Sequence, residues 1–228
     1  MKKIAAIPLL SIAMVLPTVA QNKIDNRLGD SAEVLSQILA KPDEIPQQLL
    51  NRSRCVLVFP SVKRVAVGIG GSYGRGTIVC RTGPDMKGPW SAPAMYKLNV
   101  ASLGVQLGTS STDYVLLVQT PLGAEKVLSG KLKLGSECSA VAGPTGAKAL
   151  AANDPKVDVL TYSRASGLFA GASLGSADLS TDDDANTKVY GRTVSANQIV
   201  RENQVQATDA GKRLVNVLKK ASPKWSGS

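Results

Sequence analysis

A serine flanked by glycines, Gly171-Ala172-Ser173-Leu174-Gly175, has the spacing of a nucleophile elbow, a strand-to-helix turn that lifts a hydroxyl toward an acyl substrate. Such a hydroxyl needs a base to take its proton. The 228-residue chain contains no histidine and no Ser-x-x-Lys dyad, so this match carries no acyl-transfer chemistry. Residues 70–76 (GGSYGRG) have the glycine density of a phosphate-cradling loop. A P-loop, however, ends in Gly-Lys-Ser/Thr opening a helix, and here strand-like sequence lies on both sides. The run reads as a hairpin turn with bulges. Its competing reading is a nest of backbone amides that takes a phosphate, with Arg75 adding charge. Asp182, Asp183 and Asp184, with Asp178 nearby, offer carboxylates to calcium. They lack the glycine and closing glutamate of an EF-hand loop and read as a solvated acidic turn. Histidine and cysteine metal sites are excluded by count and spacing, and nothing in the sequence calls for a cofactor.

Charge points to a different class of activity. The chain carries 27 Lys and Arg against 17 Asp and Glu, a net charge of +10. Its first twenty residues read as a secretory signal. Lys2 and Lys3 precede an apolar stretch at 4–16, and Pro17 leads into Thr18-Val19-Ala20 with a small residue at the cut. The apolar stretch is too short for a helix across a bilayer of roughly 30 Å. Removing these residues leaves one domain, 21–228, with a net charge of +8. Such a surface favours anionic partners. An exported chain with only 4% aromatic residues is poorly suited to nucleic acid, which moves membrane headgroups to the front. In an oxidising compartment two of the three cysteines form a bridge, and Cys55 with Cys80, in strands flanking the glycine-rich run, is the favoured pair. Three buried, reduced thiols are the equal alternative.

These groups must be carried by regular elements. Ile24, Leu28, Leu35, Ile38 and Leu39 form one stripe of a helix over 24–40, ended by Lys41-Pro42. A second short helix is expected over 43–52, with Pro46 in its first turn. Residues 56–59 form an apolar strand closed by Pro60. Alternation at Val65, Val67 and Ile69, and at Leu103, Val105 and Leu107, predicts strands with one buried face. The continuous apolar run 114–118 suits a central strand. Residues 143–155 read as a loop, and 157–162 with 167–174 as a late hairpin. A C-terminal helix starts at Asp209, with Ala210, Leu214, Val217, Leu218 and Ala221 on one face and Lys212, Arg213, Lys219 and Lys220 elsewhere. The order predicts an α+β domain. Its sheet is curved, largely antiparallel and sandwich- or barrel-like, flanked by N- and C-terminal helices. Glycines inside apolar strands imply the curvature.

In order and spacing these segments resemble the SYLF-domain family. The resemblance runs from about Asp43 to Leu218. It rests on Ile45-Pro46, VLVFP at 56–60, the glycine-rich run at 70–76, WSAP at 90–93, GVQLG at 104–108, AGP at 142–144, YSRASGLFAG at 162–171, and Asn186 followed by Tyr190-Gly191. It departs from the family pattern at 174–176, where members commonly carry a glutamate. The resemblance implies non-catalytic binding of membrane phospholipid, and actin binding as in fungal endocytic members. The signal-like N-terminus makes the chain look like an exported, bacterial-type member. In that setting an anionic envelope phospholipid is the expected partner and actin is not.

The expected function is therefore binding of anionic phospholipid through basic and amphipathic surfaces, at the periphery of a membrane in the periplasm or outside the cell. The candidate contacts are Lys63, Arg64, Arg75, Arg164, Lys212, Arg213, Lys219 and Lys220. An envelope scaffold that binds another protein is the alternative. Catalysis is not expected, because no general base of the usual kind is available. The basic C-terminal helix, continuing to Lys224-Trp225, suggests a helix lying on anionic lipid with its tryptophan at the interface. Its alternative is a helix packed on the sheet with its lysines in water.

Overall fold

A computed structural model describes residues 18–41, 45–65, 71–101, 111–145, 156–172, 174 and 176–226. Two helices open the chain, α1 (Thr18–Leu39) and α2 (Gln47–Asn51). Two strands follow, β1 (Cys55–Val65) and β2 (Gly71–Cys80), then β3 (Ala94–Ala101) and β4 (Ser111–Val118). Helix α3 (Pro121–Leu128) leads to β5 (Lys131–Lys133), β6 (Ala140–Ala142), β7 (Val159–Ala165), β8 (Leu168–Gly171) and β9 (Ala177–Thr181). Three helices close the chain: α4 (Asp183–Tyr190), α5 (Ala196–Val200) and α6 (Asp209–Ala221).

The strands make one curled sheet in the order β5-β9-β3-β2-β1-β4-β7-β6, with β8 also paired to β7. The fold is α+β with N- and C-terminal helices, as its sequence implies, and the sheet wraps into a half-barrel. Every strand pair is antiparallel except β6 with β7, which is parallel. That exception lies at an edge and was not legible from local pattern.

The central strands are apolar on both faces, so both faces are covered. Val56, Val58, Val79, Val115 and Leu117 face α1, α2 and α6, where they meet Leu35, Ile38, Leu49, Leu214 and Leu218. Cys55, Leu57, Phe59, Leu116 and Val118 face the other way, toward Ala124, Val127, Ile199 and Val200. The alternation is the period-two geometry of a strand buried twice. Each fully buried Leu or Val contributes about 1.5–3 kcal/mol relative to exposure. Helix α6 is capped by Thr208, whose hydroxyl accepts from the Gly211 amide at 3.2 Å. Asp209 in its first turn and Lys219 and Lys220 in its last complement the helix dipole.

Curvature has a local cause in β1 and β2. Strand β1 does not stop at Pro60, as the sequence suggested; it runs through it. The pairing of β1 with β2 shifts between Val58 and Lys63, and Ser61 takes a φ of 50°. A bulge is one of the few places in a strand where a missing amide costs no ladder bond. The bend presses β1 onto β2: a Cβ on Gly76 would lie 2.1 Å from the Val58 carbonyl oxygen, and one on Gly74 would lie 2.5 Å from Val62.

Other expectations shift in detail. Helix α1 begins at Thr18, inside the span read as a signal; residues 1–17 lie outside the described residues. Pro46 is the N-cap of α2 and not part of its first turn. Residues 71–76 are not a turn. They lie within β2, with their backbone paired to β1 and β3, so these residues form no amide nest. The alternating positions Val67, Ile69, Leu103, Val105 and Leu107 lie outside the described residues, as do 146–155. The strand β8 is followed by strand β9, so Gly171 does not enter a nucleophile elbow; Ser173 itself is outside the described residues. Among the described residues no helix is long and apolar enough to cross a membrane.

Candidate functional site

The cations expected to meet lipid divide into groups once the register is known. Lys63 stands opposite Tyr73 across β1 and β2, and opposite Ser111 on β4. One strand further on, Asp113 stands opposite Arg164. Lys63, Tyr73 and Arg164 therefore occupy the same end of the sheet, on the side where α1 crosses it. Lys63, Tyr73 and Arg75 line a depression of about 280 Å³ together with Lys23, Arg27 and Asp30 of α1. Arg64 follows Lys63 in the strand and so turns to the opposite face, where it lies beside the Tyr114 phenol.

Arg164 is at this end but engaged. Its Nε and Nη2 donate to Asp113 Oδ2 at 3.0 and 2.7 Å, and its Nη1 donates to Gln37 on α1. It lines a second depression with Asp30, Glu33 and Asp113. There the balance is acidic, and burial, with Glu33 and Asp113 close by, pushes the Asp30 carboxyl above its ordinary pKa.

The acidic turn proves to be something else. Asp183 and Asp184 are exposed in the first turn of α4, but Asp182 is only 3% exposed. Its carboxylate takes Arg27 Nη1 at 3.3 Å, Lys97 Nζ at 3.2 Å and Arg75 Nε at 3.8 Å. A buried carboxylate is retained only when cations and hydrogen bonds replace its hydration. Burial lowers the Arg27 pKa from its usual value and Asp182 partly restores it, while the Tyr73 hydroxyl, as hydrogen-bond acceptor, raises that of Arg75. Among the described residues no group of three His, Cys, Asp or Glu side chains is arranged to hold a metal.

Sequence reading missed Lys23, Arg27 and Lys97, and it took the buried Asp182 for part of a solvated turn. Lys23 and Arg27 are four apart on a helix, so they share a flank, and that spacing was a usable signal. The burial of Asp182 was not readable from a run of three aspartates.

Lys212, Arg213, Lys219 and Lys220 are exposed on α6, with Lys212 bonded to Asp209 at 2.8 Å. Arg213 reaches toward Gly29 of α1, and Val217 and Lys220 line a groove with Ser36, Leu39 and Ala40. The two helices thus run side by side in one direction, and α1 separates the α6 cations from the pocket beside β2. The apolar face of α6 is buried against the sheet. Trp225 is half-buried, with its ring centroid 4.7 Å from Lys87 Nζ and 5.7 Å from the Arg54 guanidinium carbon and its indole nitrogen shielded from solvent.

Arg81, another cation near the glycine-rich hairpin in sequence, is at the far end of β2 and fully buried. It stacks on Trp90 at 4.2 Å and donates to the Ser222 hydroxyl at 2.6 Å and carbonyl at 3.1 Å. Burial brings its pKa down to about 10. Cys55 and Cys80 face each other in the β1–β2 register and are joined as a disulfide. Cys138 is free and buried, its thiol pushed up to about 12 by burial and by Asp158.

A family described as Ysc84, Las17-binding protein actin regulator, matches residues 99–221, more than half of the chain. The SH3 domain-containing protein PJ696.02 of Schizosaccharomyces pombe is 30% identical over 187 residues, covering 80% of this chain and 42% of that protein. LAS seventeen-binding protein 3 of Saccharomyces cerevisiae is 31% identical over 195 residues, covering 78% and 41%. The human SH3 domain-containing YSC84-like protein 1 is 27% identical over 192 residues, covering 78% and 55%. The chain therefore spans about half, or less, of the length of these relatives. No solved structure matches it. The extent and agreement of these matches, on the fold described above, make the chain a member of the Ysc84 family, which is the SYLF-domain family.

Proposed function

We propose that this protein is a non-catalytic binder of anionic phospholipid, exported and held at the periphery of a membrane. The observation that carries this reading is the convergence of Lys23, Arg27, Lys63 and Arg75 on one end of the sheet. Each cation near an anionic surface contributes roughly 1 kcal/mol, an attraction that salt screens. The same end carries an apolar point. Leu168 is 79% exposed just after the tight β7–β8 turn, where Ser166 and Gly167 have φ of 50° and 80°. Aliphatic side chains at such a tip suit the boundary between headgroups and acyl chains.

Co-sedimentation with phosphatidylcholine vesicles, with and without phosphatidylglycerol, tests the reading. Binding is expected only to the anionic vesicles and is expected to collapse in high salt. Leu168→Ser is expected to weaken it by about tenfold, the value of losing one partly inserted leucine. Equal binding to neutral vesicles, or no binding to either, counts against it.

A second reading follows from the printed descriptions: one relative is named a LAS seventeen-binding protein, and the family description names both Las17 binding and actin regulation. On that reading the same basic end docks an acidic protein surface. A stoichiometric partner recovered from an envelope extract, together with no vesicle binding, favours it.

A further inference from the structure

The depression beside α1 has the donors and the charge of a phosphate site. Its cations come from three elements, one helix and two strands. Lys23 and Arg27 lie one turn apart on α1, while Lys63 and Arg75 project from β1 and β2 on either side of Tyr73. Behind them, buried Asp182 holds Arg27, Arg75 and Lys97 within 3.2–3.8 Å. One carboxylate facing three cations fixes their positions without neutralising them. Lys23 and Lys63 add two exposed charges that pair with no carboxylate among the described residues. Asp30 on the rim and Asp184, within electrostatic reach of Arg75, do not cancel this excess.

Size and shape narrow the ligand. The volume, about 280 Å³, is just below the range of drug-sized pockets, so it suits a single headgroup and not a whole lipid. Two guanidinium groups among the four cations offer planar, paired donors that match phosphate oxygens. Tyr73, 43% exposed at the mouth, supplies an amphipathic edge where a headgroup would join its glycerol.

We infer that the pocket formed by Lys23, Arg27, Lys63 and Arg75 binds a phosphate group, its lipid source resting on the membrane reading above. Asp182 is a positioning residue for this site, and the lysines complete it from the rim.

The test uses the full chain, the variant Lys23→Gln/Lys63→Gln, and a control, Lys131→Gln/Lys133→Gln, which removes the same charge from exposed positions on β5. All four lysines are exposed, so neither variant opens the core. Two probes are compared. The first is inorganic phosphate against chloride at matched ionic strength, read as the thermal unfolding midpoint. The second is phosphatidylcholine vesicles with and without phosphatidic acid, read by flotation. Phosphate is expected to raise the midpoint of the wild type and the control, but not of Lys23→Gln/Lys63→Gln. That variant is expected to lose roughly tenfold to thirtyfold in binding to phosphatidic acid vesicles, and the control less than about threefold. Equal behaviour of the two variants toward both probes overturns the pocket and leaves a diffuse field in its place. A site-dependent phosphate shift with no vesicle binding supports the pocket with soluble phosphate as ligand, while the membrane reading falls. Vesicle binding that both variants share, with no phosphate shift, overturns the pocket and spares the membrane reading.

Discussion

Gly76→Ala is expected to cost about 3 kcal/mol of folding stability, read as a drop of about 6–12 °C in the thermal midpoint. A methyl at this position meets the Val58 carbonyl oxygen at 2.1 Å, the Phe59 ring at 2.6 Å and the Phe59 Cα at 2.9 Å. The first and last of these are backbone atoms in the most buried part of the sheet, so relief requires the β1 bend to open. Interiors this dense absorb added volume only through backbone shifts. Gly191→Ala is the informative comparison. Gly191 has a φ of 67° with nothing within 4 Å of the added methyl, so it bears only left-handed strain of about 1–2 kcal/mol. If the two substitutions cost the same, or if Gly76→Ala is silent, close approach is not the reason for glycine in β2.

The second large effect concerns the covalent link between the same two strands. Replacing Cys55 and Cys80 together by alanine is expected to lower stability by about 3 kcal/mol, through the chain entropy that a bridge across 25 residues removes from the unfolded state. Alanine is preferable to serine because both positions are fully buried and a hydroxyl there would lack a partner. Thiol counting on the denatured, unreduced chain should find one free thiol, from Cys138. Three free thiols would show that the pair is not bridged. In the folded chain Cys138 is expected to resist alkylation near pH 8, because only the thiolate reacts and its pKa lies far above that pH.

Much of the fold was legible because its strands obey period two and its last helix obeys period 3.6. The run at 114–118 could only be central, since Val115 and Leu117 face one way and Leu116 and Val118 the other. In α6, Leu214 and Leu218 were legible as buried, whereas Val215 is buried in place of the expected Val217, which is half-buried. What failed was long-range. Pro60 reads locally as a stop, yet a bulge lets β1 pass through it. Helices α3 and α5 were not picked out; each is short, and their existence depends on caps, Thr120 before Pro121 in one and the Ser195–Gln198 box in the other. The site was partly legible. Lys63 and Arg75 were named from charge and place, but their neighbours Lys23 and Arg27 lie some forty residues away in the chain, and only packing unites them. Neighbouring Lys63 and Arg64 had to point apart in a strand, a constraint that composition alone does not apply.

The pairing of α1 with α6 has a consequence for how the chain acquires its structure. The first and last helices are neighbours, separated by the whole sheet in sequence, so the contact between them closes a loop of about 170 residues. Until Leu214, Val215 and Leu218 are available, Leu35 and Ile38 have only part of their cover. A chain emerging N-terminus first therefore carries a partly uncovered amphipathic helix until α6 is released. Non-local closure of this kind makes for slow folding and a window of aggregation before α6 docks.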